Sequence, residues 1–134
     1  MVRRIMPFAI VGGIGFAIDG GIVTLLVEIV NLNPFFGRAM SFPIAVTATW
    51  FLNRRWTFAA NASTRKKTEY GRYFAVQVIG AAINLAIYFV LITDIPSLGV
   101  HPILPLGAGA LVAMVFNFIG CQLFVFRSAS SRSL

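Results

Sequence analysis

The chain has 134 residues, of which 58% are hydrophobic and only 11% charged, with a formal net charge of +7. Soluble domains carry about 25% charged residues, so a mean hydropathy of +0.85 excludes an ordinary water-soluble fold. The basic excess does not indicate nucleic acid either, because Arg and Lys flank long apolar runs instead of forming a continuous patch.

Four apolar stretches, about 7–30, 35–52, 73–92 and 103–126, are long enough to cross roughly 30 Å of hydrocarbon. They predict an all-α membrane protein of four transmembrane helices, a single domain over residues 1–134 with a disordered tail at 128–134. Span 1 follows Arg3 and Arg4 like a secretory signal, yet no small-residue cleavage site follows cleanly, so it is read as retained. Within it, GGIGFAIDGGIV (12–23) carries Asp19 near the centre of the run. A charged side chain at mid-bilayer costs on the order of 3 kcal/mol, so Asp19 needs a partner, a hydrated cavity or a substrate. Gly12 and Gly15 share its face at helical spacing, whereas Glu28 points the opposite way.

Span 2 aligns Arg38, Ser41, Ala45, Thr49 and Leu52 on one face, and Pro43 removes a helical hydrogen bond and is expected to kink it. For Arg38 the options are a phosphate, a carboxylate partner, or snorkelling to the interface. Arg54, Arg55, Arg65, Lys66, Lys67 and Arg72 follow before span 3. Of these, Arg54, Arg55 and Arg72 at the ends of spans 2 and 3 set topology or bind anionic headgroups. Trp56, Phe58, Phe124 and Phe126 read as an interfacial aromatic belt. The stripe of span 3 is Tyr73, Gln77, Gly80, Asn84 and Tyr88; that of span 4 is Gly109, Ala110, Ala113, Asn117, Gly120 and Cys121. Small residues on such stripes let helices approach, and buried amides join them. The single Cys121 excludes an internal disulfide, and His101 in the outer turn has no metal-ligand companion.

Ten of the eleven basic residues fall before span 1, between spans 2 and 3, or after span 4; only Arg38 falls on the other side. The positive-inside rule then places both termini and the central loop in the cytoplasm. Self-comparison aligns VGGIGFAIDGGI (11–22) with VQVIGAAINLAI (76–87) at an offset of 65, setting Asp19 opposite Asn84. At an offset of 68, Pro34 meets Pro102, Ala45 meets Ala113, and WTF (56–58) meets FVF (124–126). Two-span units return to their starting side, so the reading is two parallel two-helix repeats about an axis along the membrane normal. Asp19 is expected in a seam between them, hydrated or hydrogen-bonded to Asn84 or Asn117, contacting substrate or coupling a proton.

No GxxxxGK[ST] loop is present, so the chain does not drive itself with ATP. Its four carboxylates are scattered, with no acidic pair for a metal and no nucleophile beside a base, so neither enzyme, metal nor cofactor is expected. What remains suits moving or holding a polar, anionic headgroup while its hydrocarbon stays in lipid.

At FPIAVTATWFLNRRWTF (42–58) and FNFIGCQLFVFR (116–127) the chain resembles the GtrA-like family, small four-span bacterial membrane proteins of cell-surface polysaccharide synthesis. The resemblance runs from Phe8 to Arg127. By position it singles out Asn53, Arg54, Trp56 and Phe58, then Asn117, Phe124 and Phe126; Gln122 stands where a basic residue is common. It implies translocation of a polyprenyl-phosphate-linked sugar across the bacterial cytoplasmic membrane, often beside a membrane glycosyltransferase. A sugar needs hydrogen-bonding groups and a phosphodiester needs Arg. The expected substrate residues are Asp19, Arg38, Asn53, Arg54, Arg55, Arg72, Gln77, Asn84, Tyr88 and Asn117. Two alternatives stand beside this, an anchor that recruits the glycosyltransferase and a small proton-coupled exporter; a homo-oligomer is left open. Dual-topology exporters need a weak charge bias, and ten against one is strong.

Overall fold

The computed structural model describes residues 2–95 and 103–127. The expected outer turn at His101 and Pro102 and the tail 128–134 lie outside them. Among the described residues the chain is helical with no strand. That is the solution long apolar runs favour, since a helix closes its backbone hydrogen bonds within itself. Helix α1 is Val2–Thr24 and continues into a π turn, Leu25–Ile29. Helix α2 is Pro34–Leu52, followed by a π turn, Asn53–Thr57, and a 3₁₀ turn, Ala59–Asn61. Helix α3 is Lys66–Asp94, and α4 is Ile103–Gly120 with a terminal π turn, Cys121–Val125.

Among the described residues three stretches are long and apolar enough to cross a membrane: Arg3–Ile29, Lys66–Asp94 and Ile103–Val125. Helix α2, 19 residues, reaches roughly 30 Å at 1.5 Å per residue. Its apolar character is diluted by Arg38, two prolines and several hydroxyl side chains. Ser41 and Thr49 are buried, while Arg38 and Thr47 on the same helix are exposed. The helix runs unbroken through Pro43, and Thr47 Oγ1 donates to the Pro43 carbonyl at 2.7 Å. Helix α3 starts well before the expected apolar boundary at residue 73, because hydropathy marks the hydrocarbon slab and not the helix. Lys, Glu and Arg propagate a helix well outside it.

The chain divides into two compact units, Met1–Lys66 with Phe126–Leu134, and Lys67–Val125. In the first, α1 and α2 form an antiparallel hairpin. Its turn uses Asn31 at φ 56, a left-handed conformation that Asn tolerates better than most residues. Asn33 then caps α2, its side chain accepting from Phe35 N at 2.9 Å, and Pro34 opens the helix. Gly37 packs against Val23, Leu26 and Val27, and Gly15 against Thr49. In the second unit α3 and α4 are likewise antiparallel. Gly120 meets Val76, Gly80 meets Asn117, and Gly109 meets Asn84.

The two hairpins use the same contacts at the offsets seen in the sequence. Gly15 against Thr49 recurs as Gly80 against Asn117, and Asp19 with Ser41 recurs as Asn84 against Gly109. The π turns Asn53–Thr57 and Cys121–Val125 also stand 68 residues apart.

Four residues expected as an exposed aromatic belt divide in two. Trp56 and Phe124 are 57% and 63% exposed, while Phe58 and Phe126 are fully buried. Residues two apart on a helix point to nearly opposite sides, so one of each pair faces outward and the other inward. Phe58 stacks on Phe126, and Phe8 meets Phe58 edge-on at 6.2 Å. Arg4 lies 5.6 Å from the Phe58 ring centroid and donates to Asn61 Oδ1, whose Nδ2 donates to the Phe126 carbonyl.

Candidate functional site

The first cluster lies near the turn of the α1–α2 hairpin. Arg38 and Ser41, three residues apart on α2, face the same side and meet Asp19 on α1. Ser41 Oγ donates to Asp19 Oδ1 at 2.6 Å, and Arg38 Nη1 is ion-paired with Asp19 Oδ2. The two charges differ in surroundings: the Asp19 side chain is 13% exposed and that of Arg38 62%. Within its own hairpin the partners of the Asp19 carboxylate are Ser41 and Arg38. The antiparallel turn sets these α2 residues at its level, and an opposite charge satisfies a buried carboxylate better than an amide. Of the options for Arg38, the carboxylate contact is the one found.

Along α2 and its π turn the inward row continues through Thr49 to Asn53 and Thr57, all buried. Asn53 Oδ1 accepts from Thr57 Oγ1 at 2.8 Å, which ties this amide into the turn itself. Beside it lie two arginines. Arg54 sits 5.8 Å from the Trp50 ring centroid and donates to the Ser63 carbonyl at 2.9 Å. Arg55 is exposed and sits 5.3 Å from the Phe51 ring centroid. Arg54 therefore braces the loop after α2, while Arg55 keeps most of its donors for other contacts.

In the α3–α4 hairpin the expected stripe is a real face: Tyr73 and Gly80 are buried, with Gln77, Asn84 and Tyr88 half-buried. Asn117 Nδ2 donates to Gln77 Oε1 at 3.3 Å. Asn84 Oδ1, Asn117 Oδ1 and Gln122 Oε1 are buried and have no hydrogen-bond partner among the described residues. A buried orphan acceptor costs about 1–3 kcal/mol; the Asn84 and Asn117 side chains lie against Gly109 and Gly80 at the helix contact. Of the α4 stripe, Ala110 is exposed and falls off the face, while Gly109, Ala113, Gly120 and Cys121 are buried. Exposed Arg72 donates to the Phe124 carbonyl at 3.4 Å.

A family model described as GtrA/DPMS, transmembrane domain, matches residues 7–132. The chain belongs to that family. Membership of GtrA/DPMS puts it among membrane proteins of glycosyl-lipid and polysaccharide synthesis. Two features of this chain's structure were not legible in its sequence. One is the role of Ser41, whose spacing from Arg38 was visible while its carboxylate partner was not. The other is Glu69, only 2% exposed in the first turn of α3, where a negative charge is favoured by the helix dipole. Gly12, expected to help α1 pack, is exposed with open space where a side chain would begin.

Proposed function

We propose that this GtrA-family protein translocates a polyprenyl-phosphate-linked sugar from the cytoplasmic to the outer leaflet of the bacterial cytoplasmic membrane. In this reading it has four spans, with both termini and the 53–72 segment cytoplasmic, and each hairpin starts and ends on that side. It is a carrier rather than an enzyme, uses no cofactor, and works beside a membrane glycosyltransferase that supplies or consumes the lipid.

The observation that carries the reading is the inward polar row of α2. It runs from Ser41, bonded to Asp19, through Thr49 to Asn53 and Thr57, with exposed Arg38 at one end and Arg54 and Arg55 at the other. A purely structural helix pair has no use for arginine at both ends of a buried polar row. A phosphate that crosses does, because guanidinium binds it through charge-assisted hydrogen bonds.

The test is reconstitution of the purified protein in liposomes with a labelled polyprenyl-phosphate sugar, following exposure of the headgroup on the far leaflet. Protein-dependent transfer supports the proposal. A chain that moves no lipid but captures a glycosyltransferase would instead be an anchor.

A further inference from the structure

We propose that Asp19 is an internal stand-in for a lipid phosphate: it holds the Arg38 guanidinium while no phosphate is bound and yields it to a phosphate ester at the turn end of the first hairpin. This rests on the headgroup-translocation reading above and adds to it a mechanism of capture and release.

Three observations carry it. The first is the asymmetry of the pair. Asp19 has two holds, Ser41 on Oδ1 and Arg38 on Oδ2, whereas Arg38 is 62% exposed and uses one nitrogen. A guanidinium has five N–H donors, so most of this one is presented outward. If Arg38 turns away, Asp19 still keeps the Ser41 bond. The second is position. Arg38 lies four residues into α2, about 6 Å from the helix end, and its long stem reaches the headgroup level from there. Carboxylate and phosphate offer the guanidinium the same pair of oxygens, so they compete for one donor set.

The third is the second hairpin. At the same offsets it has Asn84 for Asp19, Gly109 for Ser41 and Leu106 for Arg38, and Asn84 still packs on Gly109. The helix contact therefore forms without either charge. The ionic pair of the first hairpin is an addition to the packing, and a competing anion explains it: Asp19 reclaims Arg38 and weakens the phosphate's hold. A carrier needs that, since a site that binds too tightly never lets its cargo leave.

The prediction has an unusual sign. In the full-length protein in nanodiscs, Asp19→Asn keeps the shape and the Ser41 bond but removes the competitor. It should bind polyprenyl phosphate about tenfold more tightly. Arg38→Gln should bind about tenfold more weakly, and the double variant should match Arg38→Gln. Equal or weaker binding by Asp19→Asn overturns the proposal, because a carboxylate that touches the sugar or relays a proton gives that result. The same titration with phosphatidylglycerol and with inorganic phosphate tells a lipid headgroup from a free anion as the source; a tightening with any of the three supports exchange at Arg38. Should Asp19→Asn not fold, solid-state NMR on an Asp94→Asn background reads the remaining Asp carboxylate-to-Arg guanidinium coupling. Saturating polyprenyl phosphate should abolish it and create a phosphorus-to-guanidinium coupling; an undisturbed pair overturns the proposal. Tighter binding without lipid transfer would sink translocation and leave exchange standing, and transfer with unchanged binding would sink exchange alone.

Discussion

Phe58 and Phe126 stack face to face, ring centroids 4.6 Å apart and planes 6° from parallel, with both side chains fully buried. They stand 68 residues apart in the chain, and with Phe8, Arg4 and Asn61 they close one end of the first unit. Phe58→Ala removes the shared ring face and leaves a cavity, so it should cost about 3–5 kcal/mol of stability. Trp56→Ala, two residues away and mostly exposed, should change it little. Thermal unfolding of both variants in the same detergent checks the contrast.

Glycine at a helix contact gives a second contrast. A methyl at Gly109 would meet the Asn84 backbone carbonyl at 2.7 Å, and backbone cannot step aside. Gly109→Ala should therefore destabilise the α3–α4 hairpin by about 1–3 kcal/mol. Gly107 has nothing within 4 Å, and Gly107→Ala should be neutral or slightly stabilising through helix propensity. Unfolding midpoints of the pair decide it.

The ion pair predicts an asymmetry of another kind. Arg38→Gln leaves Asp19 charged and part-buried with Ser41 alone, whereas Asp19→Asn leaves an exposed arginine that lipid headgroups can satisfy. Breaking a pair is costliest on the side that strands a buried charge. Arg38→Gln should therefore be the less stable single variant, and the double variant should recover part of the loss. A double-mutant cycle by thermal unfolding measures this.

These relationships show what a sequence of this kind discloses. The all-helical fold and the apolar stretches at Arg3–Ile29, Lys66–Asp94 and Ile103–Val125 were legible because hydrophobicity decides them. The stripe from Tyr73 to Tyr88 was legible because helical spacing places those residues on one side. The partner of Asp19 was not, because pairing depends on the level at which two antiparallel helices meet. A shift of one helical turn would have put Ala45 in the place of Ser41. The inward turn of Phe58 and Phe126 was hidden for a similar reason, since interfacial composition does not say which of two neighbouring rings faces lipid.

The two arginines after α2 separate by role. Arg54 bonds the Ser63 carbonyl, so Arg54→Gln should loosen that loop and raise its protease sensitivity. Exposed Arg55 rests on the Phe51 ring, and Arg55→Gln should weaken binding of polyprenyl phosphate about tenfold with unfolding unchanged. Limited proteolysis and lipid titration on the same two preparations tell bracing from binding.

If the polar row of α2 carries a phosphate-linked headgroup across the bilayer, as proposed, transfer itself is the most direct measure. Liposomes holding the purified protein and a fluorescent polyprenyl-phosphate sugar are treated with an impermeant quencher. The protein should let the quencher reach nearly all of the probe, where protein-free liposomes protect the inner half, and Arg38→Gln with Arg55→Gln should bring that protection back. Half-protection that persists with folded, correctly oriented protein would contradict the claim.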